Sequence, residues 1–538
     1  MSSWLKLIHD RRVQVALLAF LVAVSYLNTL SNPFLWDDIA LIVENDGLKQ
    51  GWTSVLNAFS PEKWGGRSDN PGFKSFFRPM QSLLSIFDYW IWGLNAFGFH
   101  LSNMLLHLAN TVLLLFFALR LTGSSTAALA AASIFAVHPI HTESVAFIAA
   151  MNDLLAALFM TGSFIFYMRS GSSSGGSAKS PFYSASLFLF VLALLSKEMA
   201  VMMPLLVSVY AWLYEDRGGR ALRAIPFYAV LAGYIAFRVF GLEVFVEQHQ
   251  LRVDILTLGS SSAAAVFDYL RLMVAPYPLK AFYTLRWHSP FSFEAIAGFV
   301  ISAAALLAFI LFAVRGKKAL AFALAWLFVS MAPVLNIGAL GDFRIAERYM
   351  YIPTIGFSIF AGIVFAGLPK GALSKAASVL LVAVIAVFIV LTFQRNRLWG
   401  DDLRFFTAMV KESPDAPLAH LNLAVVYQKR GERALALSEM ERCRDLAPGN
   451  WSIRYSLGFY YYKAGLFAKA ADELEISAAL NPKYENSQIL LGVSYAETGR
   501  LDDAEALFIR VLKANPASKY AADNLLRLEE MRGAKPAS

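Results

Sequence analysis

The stretch "VQVALLAFLVAVSYLNTLSNPFLWDD" (residues 13–38) joins an apolar run to two adjacent carboxylates. Residues 13–30 have the length of a membrane helix, which needs about 20 mostly apolar residues. Asp37 and Asp38 follow this run directly, among leucine and aromatic neighbours that make charge costly. The stretch therefore predicts a membrane protein with a candidate functional loop at the end of its first helix.

Similar apolar runs recur up to residue 393 and then stop. With 57% hydrophobic and only 16% charged residues, the 538-residue chain is too apolar for an ordinary soluble protein. We predict an all-α fold with about 11 transmembrane helices in residues 1–394, a linker over 395–416 and a soluble domain over 417–531. The predicted spans are residues 13–30, 98–119, 126–139, 148–168, 182–196, 199–214, 224–241, 291–314, 319–336, 350–368 and 376–393.

Basic residues in alternate loops predict the orientation of these spans. With a cytoplasmic N-terminus, each inner loop carries positive charge, as topology rules require. These residues are Lys6, Arg11, Arg12, Arg120, Arg169, Lys179, Arg217, Arg220, Arg223, Arg315, Lys317, Lys318, Lys370 and Lys375. Three long segments and the C-terminal domain are then predicted to lie outside the cytoplasm: residues 31–97, 242–290 and 337–349. The membrane is a bacterial inner or plasma membrane or, in a eukaryote, the ER membrane.

One further apolar segment, "SSSAAAVFDYLRLMVAPYPL" (residues 260–279), carries Asp268 and Arg271 in its middle. We predict a helix that lies at the membrane interface or re-enters the membrane, because mid-run charges disfavour a full span. A full span here would instead move the C-terminal domain to the cytoplasm.

Composition also argues against several function classes. The net charge of +8 is dispersed over short loops, so no nucleic-acid partner is expected. The single cysteine, Cys443, excludes a disulfide framework and a multi-cysteine metal site. His138, His141 and Glu143 suggest zinc, but Pro139 disfavours a regular helical pair of ligands, and no metal or other cofactor is expected.

The C-terminal part repeats with a period of 34 residues: 417–450, 451–484 and 485–518. A small residue, a tyrosine, a turn glycine, an alanine and a proline recur at fixed positions in all three copies. This pattern is typical of tetratricopeptide repeats, which are helix–turn–helix units. Residues 519–531 are predicted to form a capping helix that covers the last apolar face.

Tetratricopeptide arrays bind extended peptides or partner proteins in a concave groove. We expect Tyr455, Phe459 and Tyr462 to line this groove and bind the acceptor. The alternative is that these aromatic side chains pack between the repeats.

Ionisable residues converge on the predicted outer face, where charges at membrane depth mark functional sites. We assign a catalytic role to Asp37 and Asp38 and a supporting role to four acidic residues: Glu143, Asp153, Glu198 and Glu347. The candidates for binding a donor phosphate or lipid are Arg78, His138, His141, Lys197 and Arg348.

Such residues suit sugar transfer from a lipid carrier. A carboxylate can accept the proton of an attacking hydroxyl. Cations can stabilise the charge that develops on a phosphate leaving group. We prefer Asp37 as the base; the alternative is that the acidic pair caps the following helix.

The motifs "PFLWDD", "HPIHTESVAFIAAMNDLLAAL", "SKEMAVMMP" and "ERYMYIP", followed by the repeats, resemble the transmembrane, tetratricopeptide-containing protein O-mannosyltransferases. The resemblance implies a GT-C membrane fold and an inverting transfer of mannose or a similar hexose from a polyprenyl-phosphate donor to Ser or Thr of a translocated protein. It also implies an acidic base in the first outer loop, at Asp37 or Asp38. The short array of three repeats indicates a prokaryotic relative.

Other functions remain open from the sequence alone. One alternative is an enzyme that transfers the sugar to a glycan or a lipid, and another is a non-enzymatic membrane scaffold. A transporter is disfavoured because neither paired inverted repeats nor interrupted helices are evident.

Overall fold

The computed structural model describes residues 10–60, 77–171, 180–242, 254–284, 287–335 and 345–533. All regular secondary structure in these ranges is helical, as predicted. The chain forms two compact units, one of residues Met1–Leu279 with Leu285–Asp401 and one of Lys280–Thr284 with Asp402–Ser538. Of the predicted inner-loop residues, Lys6 and Lys179 lie outside the described ranges.

Within the described ranges, the first unit contains fourteen α-helices of seven or more residues, which we number in chain order. They are α1 (Arg11–Tyr26), α2 (Trp52–Ala58), α3 (Pro79–Trp92), α4 (Ala96–Thr122), α5 (Ser125–Val137), α6 (Met151–Gly171), α7 (Pro181–Leu194), α8 (Met203–Tyr214), α9 (Arg217–Ala236), α10 (Ile255–Val274), α11 (Phe293–Val314), α12 (Lys318–Leu335), α13 (Pro353–Ala366) and α14 (Ala372–Asn396). Shorter helical turns join them, among them Glu198–Met202 before α8 and Glu347–Met350 before α13.

All eleven predicted spans coincide with helices of this unit. Among the described residues, seven helices have the length and apolar composition to cross a membrane. The other four, at Ser125–Val137, Pro181–Leu194, Glu198–Tyr214 and Pro353–Ala366, are apolar but shorter. The protein is therefore a multi-pass membrane protein, and the number of eleven spans stays a prediction.

The segment predicted to lie at the interface or re-enter is helix α10. It is not among the seven candidate spans. Asp268 and Arg271 lie one turn apart, with 3.8 Å between Oδ1 and Nε. Its buried face is formed largely by small residues such as Ala263 and Ala264, which allow close packing against α11.

Local sequence explains where several helices begin and pack. Asp10 caps α1 by accepting the Arg12 N–H at 2.8 Å, a favourable arrangement at a helix N-terminus. Helix α13 approaches α5 closely at Gly362, where an added Cβ would lie 2.3 Å from the Ala127 carbonyl oxygen. The glycine thus sets the spacing of these two helices.

In the second unit, a helix at Asp402–Glu412 (α15) lies where the sequence predicts a linker over 395–416. That expectation was wrong, because Phe405, Phe406 and Met409 form a buried apolar face on α15. Residues up to 396 still belong to α14. A charged segment was thus mistaken for a connector, although its apolar residues have helical spacing.

The repeats form paired helices followed by a final helix. They are α16 (Pro417–Lys429), α17 (Arg433–Leu446), α18 (Trp451–Lys463), α19 (Phe467–Leu480), α20 (Glu485–Glu497), α21 (Leu501–Ala514) and α22 (Lys519–Gly533). The recurring tyrosines link neighbouring repeats: the Tyr461 hydroxyl donates to Glu441 and the Tyr495 hydroxyl to Glu475, each at 2.5 Å. The tetratricopeptide fold is confirmed.

Candidate active site

The loop after α1 places its two carboxylates in different environments. Trp36 adopts a left-handed backbone conformation (φ 57°), which is uncommon for a bulky residue and costs energy. Its indole stacks on Phe147, with ring centroids 5.9 Å apart, and Phe147 stacks on the buried Trp399 at 5.0 Å. This aromatic stack supports the turn that directs Asp37 and Asp38 apart.

Asp38 is a structural brace of the loop. Its side chain is buried, with Oδ2 accepting the Leu35 N–H at 3.0 Å and Oδ1 accepting the Ala149 N–H at 2.8 Å. The second bond ties the loop to the turn before α6. Burial raises the pKa of the Asp38 carboxyl, whereas the two N–H bonds act in the opposite direction. Both oxygens are occupied by backbone groups.

Asp37 differs from its neighbour because its side chain is exposed. Within the described ranges, its carboxylate makes no hydrogen bond or ion pair. Surrounding protein atoms nevertheless raise the pKa of Asp37 above its usual range, and the nearby Arg348 partly offsets this effect. The residue is a carboxylate in a recess that solvent reaches, with an arginine in electrostatic range.

One buried and one partly buried ion pair lie near this carboxylate. Lys197, between α7 and α8, is 2.5 Å from Asp153 on α6. Arg348 donates its backbone N–H to Glu143 Oε2 at 2.9 Å, and its guanidinium contacts the other oxygen of Glu143. In each pair one cation faces one carboxylate.

Glu198 forms the third element of the cluster and is shared by two arginines. Its Oε2 accepts from Arg78 at 2.9 Å and its Oε1 from Arg238 at 3.1 Å. Arg238 also lies 3.1 Å from the Tyr234 hydroxyl. Here two cations share one carboxylate, each through a different oxygen.

Electrostatic interactions connect these elements into one cluster, which we call the outer charge cluster: Asp37, Arg78, Glu143, Asp153, Lys197, Glu198, Arg238 and Arg348. Arg78 and Arg348 both act on Lys197 and on Asp153. Arg348 also acts on Asp37. Side chains from widely separated sequence positions therefore meet at one end of the helical unit.

Arg238 was missed from the sequence. It lies near the end of an apolar run, in the short turn after α9, and was counted as part of a span. An arginine inside a predicted membrane helix is itself a signal for function, since such a charge is costly there.

Glu347 was predicted to support the site, and it pairs with Arg395 rather than with the outer charge cluster. The two carboxylate oxygens of Glu347 accept from Arg395 Nη2 at 3.0 and 3.1 Å. Arg395 also donates to the Leu279 carbonyl oxygen at 3.0 Å. This pair joins α14 to the turn before α13.

The predicted donor-binding histidines are engaged inside the protein. His138 Nε2 donates to the Met273 carbonyl oxygen at 2.8 Å, and its Nδ1 accepts the Ile140 N–H at 3.2 Å. His141 Nδ1 donates to the Phe135 carbonyl oxygen at 3.0 Å, and its Nε2 lies 2.7 Å from Thr354 Oγ1. Both rings are fully buried. The structure does not bring them to the outer charge cluster, because helix packing uses their nitrogens.

The cluster offers carboxylates for ligand binding, but their partners are cations. Within the described residues, no group of three or more His, Cys, Asp or Glu side chains is placed to hold a metal ion.

Comparisons with known proteins relate both units to one family. Models described as tetratricopeptide repeat match residues 461–526 and 417–442. Protein O-mannosyl-transferase TMTC3 of Mus musculus is 22% identical over a match that covers 97% of this chain. Human protein O-mannosyl-transferase TMTC2 is 38% identical, over 29% of this chain and 18% of its own length. Nearly the whole chain is therefore similar to proteins of the O-mannosyl-transferase family.

The match to this family has a limited extent. The chain spans 63% of the length of mouse protein O-mannosyl-transferase TMTC3. Among solved structures, the oligosaccharyltransferase of Archaeoglobus fulgidus in the apo form is similar with a TM-score of 0.45 and 13% identity. That similarity covers 77% of this chain and 59% of the other.

The three predicted groove residues on α18 differ in exposure. Phe459 is 38% exposed, and Lys463 lies over its ring at 5.4 Å. Tyr455 and Tyr462 are partly buried against the core of the repeats. Tyr455 packs edge-on against Tyr484 at 5.1 Å. Packing inside the repeat domain thus accounts for part of this aromatic set, and Phe459 is its most exposed member.

Proposed function

We propose that the protein transfers a hexose such as mannose from a polyprenyl-phosphate donor to a Ser or Thr hydroxyl of a translocated protein. The observation that carries the proposal is the separation of charge in the outer charge cluster. Asp37 is an exposed carboxylate without a bonded partner in the described ranges, and it lies near a group of buried and partly buried cations. A base and an anion-binding group are the two requirements of the reaction.

In this proposal Asp37 is the catalytic base. The acceptor hydroxyl attacks the anomeric carbon, and its proton passes to Asp37 as the new C–O bond forms. The bond from the anomeric carbon to the phosphate oxygen breaks, and the polyprenyl phosphate leaves with that electron pair. A single displacement of this kind inverts the anomeric configuration. The raised pKa of Asp37 suits a base, because proton transfer is most efficient when the pKa lies nearer the working pH.

The donor phosphate is assigned to Arg78 and Arg238. Lys197 pairs with Asp153 and Arg348 with Glu143, one cation to one carboxylate, whereas Glu198 is shared by two arginines. If one of these arginines turns to a phosphate, Glu198 stays bonded to the other. Loss of the single cation at either of the other two pairs would leave a carboxylate unpaired, at a cost of several kcal/mol. Lys197 and Arg348 act at longer range, as cations that stabilise the departing phosphate.

The repeats would bind the protein acceptor. Arrays of this fold commonly bind peptides on their concave face, and Phe459 offers an exposed aromatic surface. This assignment favours a protein over a glycan or lipid acceptor. We place the outer charge cluster and the repeats outside the cytoplasm and the N-terminus inside, on the basis of the loop charges.

The test is a transfer assay with the purified full-length chain, polyprenyl-phosphate mannose and a Ser/Thr-rich protein. The product should be an O-linked hexose of inverted configuration. Arg238→Gln should raise the KM for the donor about 10–100-fold, since hydrogen bonds to charged groups contribute about 1.5–3 kcal/mol. The fold should persist because Glu198 keeps Arg78.

Arg169→Gln is the matched control, because it removes one exposed arginine from the predicted inner end of α6. It should leave the donor KM unchanged. An Arg238→Gln variant with a normal KM would reject the phosphate assignment. Sugar recovered only on lipid or glycan would reject the protein acceptor, and no transfer at all would favour the scaffold.

A further inference from the structure

A second candidate site lies away from the outer charge cluster, at the ends of helices α4, α8, α12 and α13. It is a groove of about 630 Å³ that is open to the surroundings. Its walls include Leu121, Leu320 and Val364, and its rim carries Tyr214, Lys317 and Lys318. An apolar groove with cations at one edge matches the two parts of a phospholipid, which has acyl chains and a charged phosphate.

The charge of the groove favours an anion. Lys317 and Lys318 are the only charged residues among the described side chains that line it. The Lys318 ammonium lies over the Tyr214 ring at 5.4 Å, a contact that keeps it at the rim. Glu215, which follows Tyr214, is bound to Arg223 at 2.5 Å. The nearest carboxylate along the chain is therefore already neutralised by another partner.

The groove lies at the opposite end of the helices that begin at the outer charge cluster. Lys197 precedes α8 and Tyr214 ends it, while Arg348 precedes α13 and Val364 lies in its last turn. Each of these helices has 12 to 14 residues and so spans about 20 Å. The groove and the candidate active site thus lie at opposite ends of these helices, and in the predicted topology the groove faces the side of the basic loops.

We propose that this groove binds an anionic phospholipid, with the phosphate at Lys317 and Lys318 and an acyl chain along the apolar wall. Basic pockets between transmembrane helices are suited to such headgroups. Val364 is 49% exposed, so the wall is open on its outer side to a chain from the surrounding bilayer. A soluble anion would gain nothing from this wall, which is why the ligand is assigned as a lipid.

The test is native mass spectrometry of the full-length chain titrated with dioleoyl phosphatidylglycerol, dioleoyl phosphatidylcholine or inorganic phosphate. Phosphatidylglycerol should bind more tightly than phosphatidylcholine. The double variant Lys317→Gln/Lys318→Gln should weaken phosphatidylglycerol binding about 30-fold, because each lysine near a membrane surface contributes about 5-fold. Val364→Trp fills the groove without changing charge and should weaken binding as well.

Lys370→Gln/Lys375→Gln is the matched control, since it removes two lysines of the same predicted face that do not line the groove. It should alter the affinity by less than about 2-fold. Equal weakening by both double variants would show that binding depends on overall charge and would overturn the site. Equal affinity for phosphatidylcholine, or displacement of the lipid by millimolar phosphate, would overturn the assignment to an anionic lipid. Unchanged binding in Val364→Trp would overturn its location.

Discussion

Two substitutions that look equivalent in the sequence, Asp37→Asn and Asp38→Asn, should have opposite effects on structure and chemistry. Asp38 accepts two backbone N–H groups through two different oxygens. An asparagine offers one carbonyl oxygen, so its amide group would face either the Leu35 or the Ala149 N–H. A buried donor left without an acceptor costs about 1–3 kcal/mol. Asp37 has no such bonds in the described ranges, so its replacement should leave the loop intact.

Hydrogen exchange of the full-length protein in detergent, read by mass spectrometry, measures this difference locally. In Asp38→Asn, peptides that contain Leu35 or Ala149 should exchange about 5–150-fold faster, which corresponds to that energy. In Asp37→Asn the same peptides should exchange at the wild-type rate. Sugar transfer by Asp37→Asn should nevertheless fall about 10²–10⁴-fold, the usual contribution of a general base.

Two results would refute the reasoning. Wild-type exchange in Asp38→Asn would mean that this carboxyl is held protonated in the folded protein, because a neutral acid is closely mimicked by asparagine. The two-acceptor brace would then be wrong. Near-normal transfer by Asp37→Asn would remove the catalytic base from the proposed function, whatever Asp38 does.

Three further predictions concern the repeats and the orientation of the chain. Phe459→Ala should weaken modification of a protein acceptor in the transfer assay, while modification of a short peptide persists. Equal loss for both acceptors would count against a binding groove. Replacement of the more buried Tyr455 or Tyr462 by Ala should instead destabilise the repeats. Burial lowers the pKa of His420, but hydrogen bonds to Glu439 and to the Pro414 carbonyl oxygen outweigh burial and raise it. The stability that these bonds contribute to the repeats should therefore be complete below about pH 6.5 and should decline as the pH rises through the raised pKa. Thermal unfolding at several pH values should show this slope, and His420→Gln should remove it. A reporter that is active only in the cytoplasm should be silent when fused to the C-terminus, and activity there would contradict the proposed orientation.

The architecture was largely predictable because its determinants are local in sequence. Each of the eleven apolar runs is helical, since an uncharged run of this length must satisfy its own backbone in a membrane. The 34-residue period likewise predicts the helix pairs of the repeats, because each copy carries its own turn glycine and packing positions. The helix α15 was not predicted because its sequence has no counterpart among the 34-residue repeats.

The arrangement of the site was less predictable because it depends on contacts between distant residues. Asp37 and Asp38 are adjacent and chemically identical, and their difference arises from the positive φ of Trp36 and from the Ala149 N–H, which lies 111 residues from Asp38. Histidine is a common catalytic residue, but in His138 and His141 one ring nitrogen donates a hydrogen bond to a backbone carbonyl oxygen. Every residue carries a backbone carbonyl group, so the sequence does not show which of them will bind a given side chain.

The energetics of its ion pairs indicate that the outer charge cluster serves the proposed reaction and not the stability of the fold. Lys197 and Asp153 have only 6% and 1% of their side chains exposed, so both lost most of their hydration on folding. Replacement of such a pair by apolar residues of similar size is often neutral or even stabilising, because desolvation offsets the attraction between the charges. A membrane protein has abundant apolar alternatives at this depth. The two ion pairs and Glu198 with its two arginines, all buried or partly buried, lie near Asp37. Packing alone does not offset their loss of hydration, and the sugar transfer that we propose at this position explains why they are present.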